Sequence, residues 1–167
     1  MKSGIAPVPG LLCLTLAVAA SAILSCSNDD AVLGVAAPTS ASVSFSRDIQ
    51  PVFSASCAVS FCHGSPLGAP MSLQPADSHA VLVGVPSCEA PALKRVEAGA
   101  SAASYLIVKL EGTQSSLPGG GSCAACDFGA GPISDCGVRM PASGPPYLPD
   151  ATIQLFRDWI DQGAKDN

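Results

Sequence analysis

The cysteines constrain the fold of this chain more than any other feature of its sequence. Eight cysteines occur among 167 residues, together with 16 glycines and 15 prolines that break the chain into short segments. A domain with few, short helices builds only a thin hydrophobic core, and it usually needs cross-links or a bound cofactor. The cysteines of the folded part therefore predict disulfides, cofactor attachment points, or both. They are Cys57, Cys62, Cys88, Cys123, Cys126 and Cys136.

The first 25 residues predict a signal peptide. Lys2 precedes an apolar stretch, residues 11–24, that is shorter than the roughly 20 residues needed to span a bilayer. The following sequence, Ile-Leu-Ser-Cys at 23–26, resembles the lipobox of bacterial lipoproteins. This resemblance implies that Cys26 is acylated and becomes the first residue of a lipid-anchored protein. An ordinary signal peptide followed by an incidental cysteine is the alternative.

The rest of the chain divides into a tether and one domain. Residues 26–42 are small and polar and predict a flexible segment, and residues 43–167 are expected to fold as one domain. We expect this domain in the periplasm or cell envelope, where disulfides form. The formal net charge is −5, and the sequence has no basic stripe, which disfavours nucleic acid as a partner.

Apolar periodicity predicts a mostly α fold of three to five short helices with long, disulfide-linked loops. The last turn of the first helix should lead to Cys57. Proline is tolerated only near a helix start, so Pro51 favours a start with Asp48 as the N-cap. A start at Ser44 or Ser46 would need a kink. Residues 64–76 and 113–149 are rich in proline and glycine and predict loops.

Three further helices are predicted from caps and stop signals. A single turn should begin after Asp77 and end at Gly84. A longer helix should begin after Ser101 or Ser104 and stop at Gly112. The last helix should have Asp150 as its N-cap and end at Gly163, with a stripe of large apolar side chains on one face.

The segment CAVSFCH, residues 57–63, is the strongest functional signal. Covalent haem attachment needs two thiols that add to the vinyl groups and a histidine that reaches the iron, usually as C-x-x-C-H. Here His63 directly follows Cys62, but four residues instead of two separate the cysteines, so the intervening loop must bulge outward. The alternative is a Cys57–Cys62 disulfide beside an exposed histidine.

Four stretches follow one another in a recognisable order: FSRDIQPVFSASCAVSFCHG, RVEAGASAASYLIVKLEG, RMP and IQLFRDWIDQGA. Together they resemble the small c-type cytochrome domains of exported myxobacterial and planctomycete lipoproteins, over residues 45–164. In that family the first helix ends at the haem cysteines and R-M-P supplies a methionine. The resemblance implies a cytochrome c-like fold.

This resemblance also implies a set of functional residues. Cys57 and Cys62 would be the thioether anchors of haem c, and His63 and Met140 its two iron ligands. With both axial positions filled, the expected function is electron transfer to a redox protein partner and not enzymatic catalysis. Two weaker candidates for the second ligand are Met71, within GAPMSL, and His79.

Once the haem takes two cysteines, four remain and permit three disulfide pairings. The pair in C-A-A-C, Cys123 and Cys126, also suggests a redox-active dithiol, although no strand-helix context is expected around it. A zinc site formed by this pair together with Cys57 and Cys62 is a further alternative, and it would need reduced thiols.

The competing function comes from a different class of protein. A disulfide-stabilised surface lipoprotein that binds a partner without haem would use all six cysteines in three disulfides. Motifs for a nucleophile elbow or a phosphate-binding glycine loop are missing from the sequence, which argues against a hydrolase or a kinase.

Overall fold

The structure, a computed structural model, describes residues 41–117, 122–127, 132–135 and 137–167. Within residues 122–127 and 132–135 it describes the backbone and, among the side chains, only that of Cys126. These residues lie in one compact unit, Pro38–Asn167. They form four α-helices, which confirms the mostly α prediction: α1 (Gln50–Ser56), α2 (Ser78–Leu82), α3 (Tyr105–Glu111) and α4 (Asp150–Asp161).

The predicted signal peptide and nearly all of the predicted tether, with Cys26, lie outside the described residues. Within the described ranges, no helix has both the length and the apolar composition needed to cross a membrane.

The first helix begins before Asp48, so the prediction of Asp48 as its N-cap is wrong. Ser44 is the N-cap, and its hydroxyl accepts a hydrogen bond from the Arg47 N–H at 3.3 Å. The Asp48 carboxylate instead accepts the Ser44 N–H at 2.8 Å. This reciprocal pair satisfies two backbone donors at the helix start, as in a capping box.

A wide helical turn, Phe45–Ile49, leads into α1. Its π-type hydrogen bond runs from the Gln50 N–H to the Phe45 carbonyl. Pro51 follows as the second residue of α1, at a helix start where a missing N–H is tolerated. The helix therefore starts after Ser44, and the kink predicted for that start is present as a widened turn.

Helix α4 supplies the centre of the core. Its buried side chains are Ile153, Phe156, Trp159 and Ile160. The ring of Phe156 lies 5.2 Å from that of Phe53 in α1, and the ring of Trp159 lies 5.1 Å from that of Phe45, measured between centroids. Aromatic rings at such separations pack favourably beyond the area they bury. The stripe predicted for this helix is therefore the face that packs against the first helix.

The N-caps and stops of the other helices agree closely with the sequence signals. Helix α3 follows Ser104 and ends at Gly112, which has the left-handed φ of 73° that favours glycine. Helix α2 follows Asp77, although the Asp77 side chain makes no capping hydrogen bond. Helix α4 follows Pro149, so that Asp150 is its first residue rather than its cap.

The prediction that residues 113–149 are wholly irregular is wrong. An antiparallel hairpin lies within them, formed by β1 (Ser122–Asp127) and β2 (Pro132–Asp135), with Cys126 opposite Ile133. A disulfide joins the buried Cys126 to Cys88, with a Cα–Cα distance of 5.8 Å. Both strands are short and rich in small residues, so they carry little of the alternation that indicates a strand.

Candidate functional site

The CAVSFCH segment forms a closed, hydrogen-bonded loop at the end of α1. Cys57 is the C-cap of the helix. The His63 N–H donates to the Cys57 carbonyl at 3.2 Å, which returns the chain to the helix end after the bulge. The additional residues project outward, because Val59 is 44% exposed and Phe61 77% exposed. The bulge therefore keeps Cys57 and His63 adjacent despite the longer spacing.

Two glycines make the tight backbone contacts of this loop possible. A Cβ atom on Gly64 would lie 2.2 Å from the Ala58 carbonyl oxygen, and one on Gly68 would lie 2.1 Å from that of Phe61. Both distances are to backbone atoms, and both are much shorter than a van der Waals contact. Phe61 itself has a φ of 61°, an uncommon conformation for a bulky residue. The loop therefore has one specific, tightly packed conformation.

Cys57 and Cys62 are both free thiols in the structure. Cys57 is buried and Cys62 is exposed. Burial, and then the neighbouring Cys62, raises the pKa of Cys57 to about 11, so its thiol is protonated at neutral pH. The Cys57–Cys62 disulfide considered above is thus not formed, and both sulfur atoms are available for thioether bonds.

His63 is a neutral imidazole, and one of its two ring nitrogens makes a hydrogen bond. Its Nδ1 lies 3.1 Å from the Met71 carbonyl oxygen, and because a carbonyl only accepts, Nδ1 carries the hydrogen. The Nε2 lone pair then remains for a metal ion. Burial is the main cause that lowers the pKa of His63. The Leu73 N–H donates to the His63 carbonyl at 2.8 Å, which further restrains the residue.

Met140 lies beside the end of α3. Its N–H donates to the Lys109 carbonyl at 2.9 Å, and its half-buried side chain packs against the core. A thioether is a soft, neutral ligand suited to iron in both oxidation states.

Arg139 fixes the segment that carries Met140. Its Nε donates to the Leu110 carbonyl at 2.7 Å, and its guanidinium carbon lies 4.3 Å from the centroid of the Tyr147 ring. A Cβ atom on Gly112 would lie 2.9 Å from the Arg139 Cδ, so the arginine stem packs directly on the helix stop. The only signal for this role of Arg139 in the sequence is the R-M-P motif.

The two alternative ligands have other contacts. The Met71 carbonyl accepts the hydrogen bond from Nδ1 of His63, and the partly buried Met71 side chain packs against the core. The Nε2 of His79 donates to the Ala164 carbonyl at 2.8 Å, and its Nδ1 lies 3.9 Å from the Asp166 carboxylate. His79 therefore stabilises the C-terminus of the chain.

Comparisons with protein-family models, curated proteins and solved structures gave no match.

The zinc and dithiol alternatives conflict with the disulfide. Cys126 is bonded to Cys88, so it is available neither as a zinc ligand nor as half of a C-A-A-C dithiol. Across the part of the chain that the structure describes, no group of three or more His, Cys, Asp or Glu side chains is placed to hold a metal ion. The side chain of Cys123 and all of Cys136 lie outside the described residues.

Proposed function

We propose that this chain is an exported, lipid-anchored electron-transfer protein that carries one covalently bound haem c. The observation that supports this most is the arrangement of Cys57, Cys62 and His63. Two unpaired thiols and an imidazole whose Nε2 makes no hydrogen bond among the described residues lie on one short loop. These are the donors that a covalently bound haem requires.

The residues of the chain have separate roles in this proposal. Cys57 and Cys62 would hold the haem through two thioether bonds, which the addition of an S–H group to a vinyl group forms without net oxidation or reduction. His63 and Met140 would hold the iron through a ring nitrogen and a thioether sulfur. When bound, the haem supplies a one-electron change at its iron, and a His/Met ligand pair raises its reduction potential relative to harder ligand sets.

The bonding around these ligands suits electron transfer better than catalysis. Because His63 and Met140 would both bind the iron, no coordination site would be left for a substrate. Hydrogen bonds to Met71 and Lys109 restrain the two ligand segments, so their positions should change little with oxidation state. The expected partner is another redox protein, and the membrane is reached through a lipid on Cys26.

The test is to express the full chain in a bacterium that has a haem-attachment system. We expect haem to migrate with the denatured polypeptide and to be absent when Cys57 and Cys62 are both replaced by serine. A Cys88→Ser variant is the matched control, because it removes a cysteine outside the loop and should keep its haem. A colourless wild-type protein would support the haem-free binding lipoprotein instead.

Lipidation requires a separate measurement. We expect the mature protein to begin at Cys26, to carry acyl chains by mass spectrometry and to sediment with membranes. A Cys26→Ser variant should be released in soluble form. Mature protein that begins elsewhere and lacks acyl chains would leave the electron carrier without its proposed anchor.

A further inference from the structure

A buried ion pair lies against the start of the Met140 segment, residues 137–140. The Nζ of Lys109 is 3.5 Å from the Glu89 carboxylate, and the two side chains are only 9% and 14% exposed. Gly137 packs against both, because a Cβ atom there would lie 3.1 Å from the Lys109 Nζ and 3.5 Å from Glu89 Oε1. At the other end of the segment, the Lys109 carbonyl accepts the Met140 N–H at 2.9 Å. Lys109 therefore contacts the segment at both of its ends.

The Cys88–Cys126 disulfide connects this ion pair to the β-hairpin. Cys88 directly precedes Glu89, so the cross-link restrains the backbone from which the Glu89 side chain extends. Cys126 lies in β1 opposite Ile133 of β2, and β2 ends two residues before Gly137. The disulfide thus restrains both partners of the contact between Glu89 and Gly137.

The two cysteines of this disulfide differ in exposure. Cys88 is exposed, whereas Cys126 is fully buried. Thiol–disulfide exchange begins when a thiolate attacks one of the two sulfur atoms, so its rate depends on access to that atom. An external reductant would therefore attack the Cys88 sulfur.

We propose that the Cys88–Cys126 disulfide is a redox-sensitive clamp that positions the Met140 segment, and that a dithiol reductant opens it. The inference rests on the proposed function, because in that function Met140 is the second iron ligand. With the disulfide open, Glu89 and the hairpin are no longer linked. The contact at Gly137 then loosens, and Met140 loses part of its restraint.

The opening reaction is ordinary thiol–disulfide exchange. A thiolate of the dithiol attacks the Cys88 sulfur, breaks the S–S bond and displaces the Cys126 thiolate. The second thiolate of the reductant then displaces Cys88, which forms the disulfide of the reductant. Each displaced cysteine thiolate takes up a proton. The chain gains two electrons and two protons, and the dithiol loses them.

The first test measures hydrogen exchange at the Met140 amide in the full chain without haem. The variant Cys88→Ala/Cys126→Ala removes both thiols, so neither can form another disulfide. We expect the Met140 amide to exchange about 5-fold faster or more, a usual size for coupling between two sites. The reference is the Leu73 amide, which donates to the His63 carbonyl at 2.8 Å and should keep its wild-type rate. Dithiothreitol should give the same change in the wild type, and reoxidation should reverse it.

A second variant leaves the disulfide intact. Glu89→Gln removes the charge that pairs with Lys109, and it should also accelerate exchange at the Met140 amide. Glu97→Gln is the matched control, because Glu97 pairs with Lys94 in a half-exposed position, 2.7 Å from its Nζ. This control should match the wild type.

The haem-loaded chain gives an independent measurement. We expect the double cysteine variant to keep its covalently attached haem. Its weak near-infrared absorption from methionine-ligated ferric haem should disappear at a lower temperature than in the wild type, because Met140 is less restrained.

Three results would overturn the clamp. One is an unchanged rate at the Met140 amide in the double cysteine variant, and another is a wild-type rate in Glu89→Gln. The third is equal acceleration at the Met140 and Leu73 amides, which would assign only general stabilisation to the disulfide. Failure of the proposed function is distinguishable, because wild-type protein would then contain no haem, whereas the exchange rates are measured without it.

Discussion

The Met71 carbonyl accepts a hydrogen bond from Nδ1 of His63 at 3.1 Å. This contact determines that Nδ1 carries the hydrogen and that the lone pair of the imidazole is on Nε2. The backbone of Met71 thus positions the first proposed ligand, while Met140 lies on a different segment as the second. The two methionines can therefore be separated by mutation.

Met140→Leu should remove the weak near-infrared absorption of methionine-ligated ferric haem and lower the reduction potential. The reason is that leucine keeps the volume but has no sulfur to bind iron. Met71→Leu is the matched control and should retain the absorption, because any residue at this position supplies the carbonyl that His63 uses. The reverse pattern, with the absorption lost only in Met71→Leu, would contradict the ligand assignment.

In chain prepared without haem, Cys62 should react with iodoacetamide well before Cys57 at pH 8. Cys62 is exposed, whereas Cys57 is buried with a pKa of about 11, so only about one Cys57 in a thousand is a thiolate at that pH. The Cys57 rate should increase as the pH rises toward 11, and the two rates should converge in denaturant. Peptide mass spectrometry gives both rates. Equal rates in the native chain would contradict the burial of Cys57.

Gly64→Ala should sharply reduce the haem content per chain. Its Cβ would lie 2.2 Å from the Ala58 carbonyl oxygen, so the loop between Cys57 and His63 has to move. Gly99→Ala is the control: Gly99 has a φ of 83° but open space around its Cβ position. That change costs about 1–2 kcal/mol of backbone strain without disturbing the site. Equal haem contents in both variants would show that the loop tolerates rearrangement.

Arg139→Lys should weaken the coordination by Met140 while the haem stays covalently attached. Lysine keeps the charge but loses the bond from Nε to the Leu110 carbonyl and the contact with the Tyr147 ring. A hydrogen bond from a charged group is worth about 1.5–3 kcal/mol. The near-infrared absorption should therefore disappear at a lower temperature than in the wild type.

The control for this prediction is Arg157→Lys, which changes an arginine on α4 that pairs with Glu111. We expect its near-infrared absorption to persist to the same temperature as in the wild type. A similar loss in both arginine variants would indicate general destabilisation instead of a specific effect on Met140.

Local features of the fold could be predicted because their causes lie within a few residues. Gly112 ends α3 since glycine readily adopts the left-handed conformation that a helix stop requires. The apolar spacing in α4 predicted its buried face for a similar reason. Within the candidate site, the adjacency of Cys62 and His63 was visible as a short motif.

Features that depend on distant residues were missed or left open. The choice of Ser44 over Asp48 as the first N-cap is supported by the C-terminus, since the Ser44 hydroxyl also donates to the Asn167 carbonyl at 2.7 Å. The pairing of Cys88 with Cys126 was one of several possibilities until folding brought their Cα atoms to 5.8 Å. Neither contact has a signal in the local sequence.

The sequence by itself determined where the helices lie and which short loop holds two thiols and an imidazole, because spacing along the chain controls both. The tertiary structure decided the tautomer of His63, the attachment of Met140 to α3 and the pairing of Cys88 with Cys126. Each of these depends on contacts between segments far apart in the chain, and such contacts exist only once the core has packed.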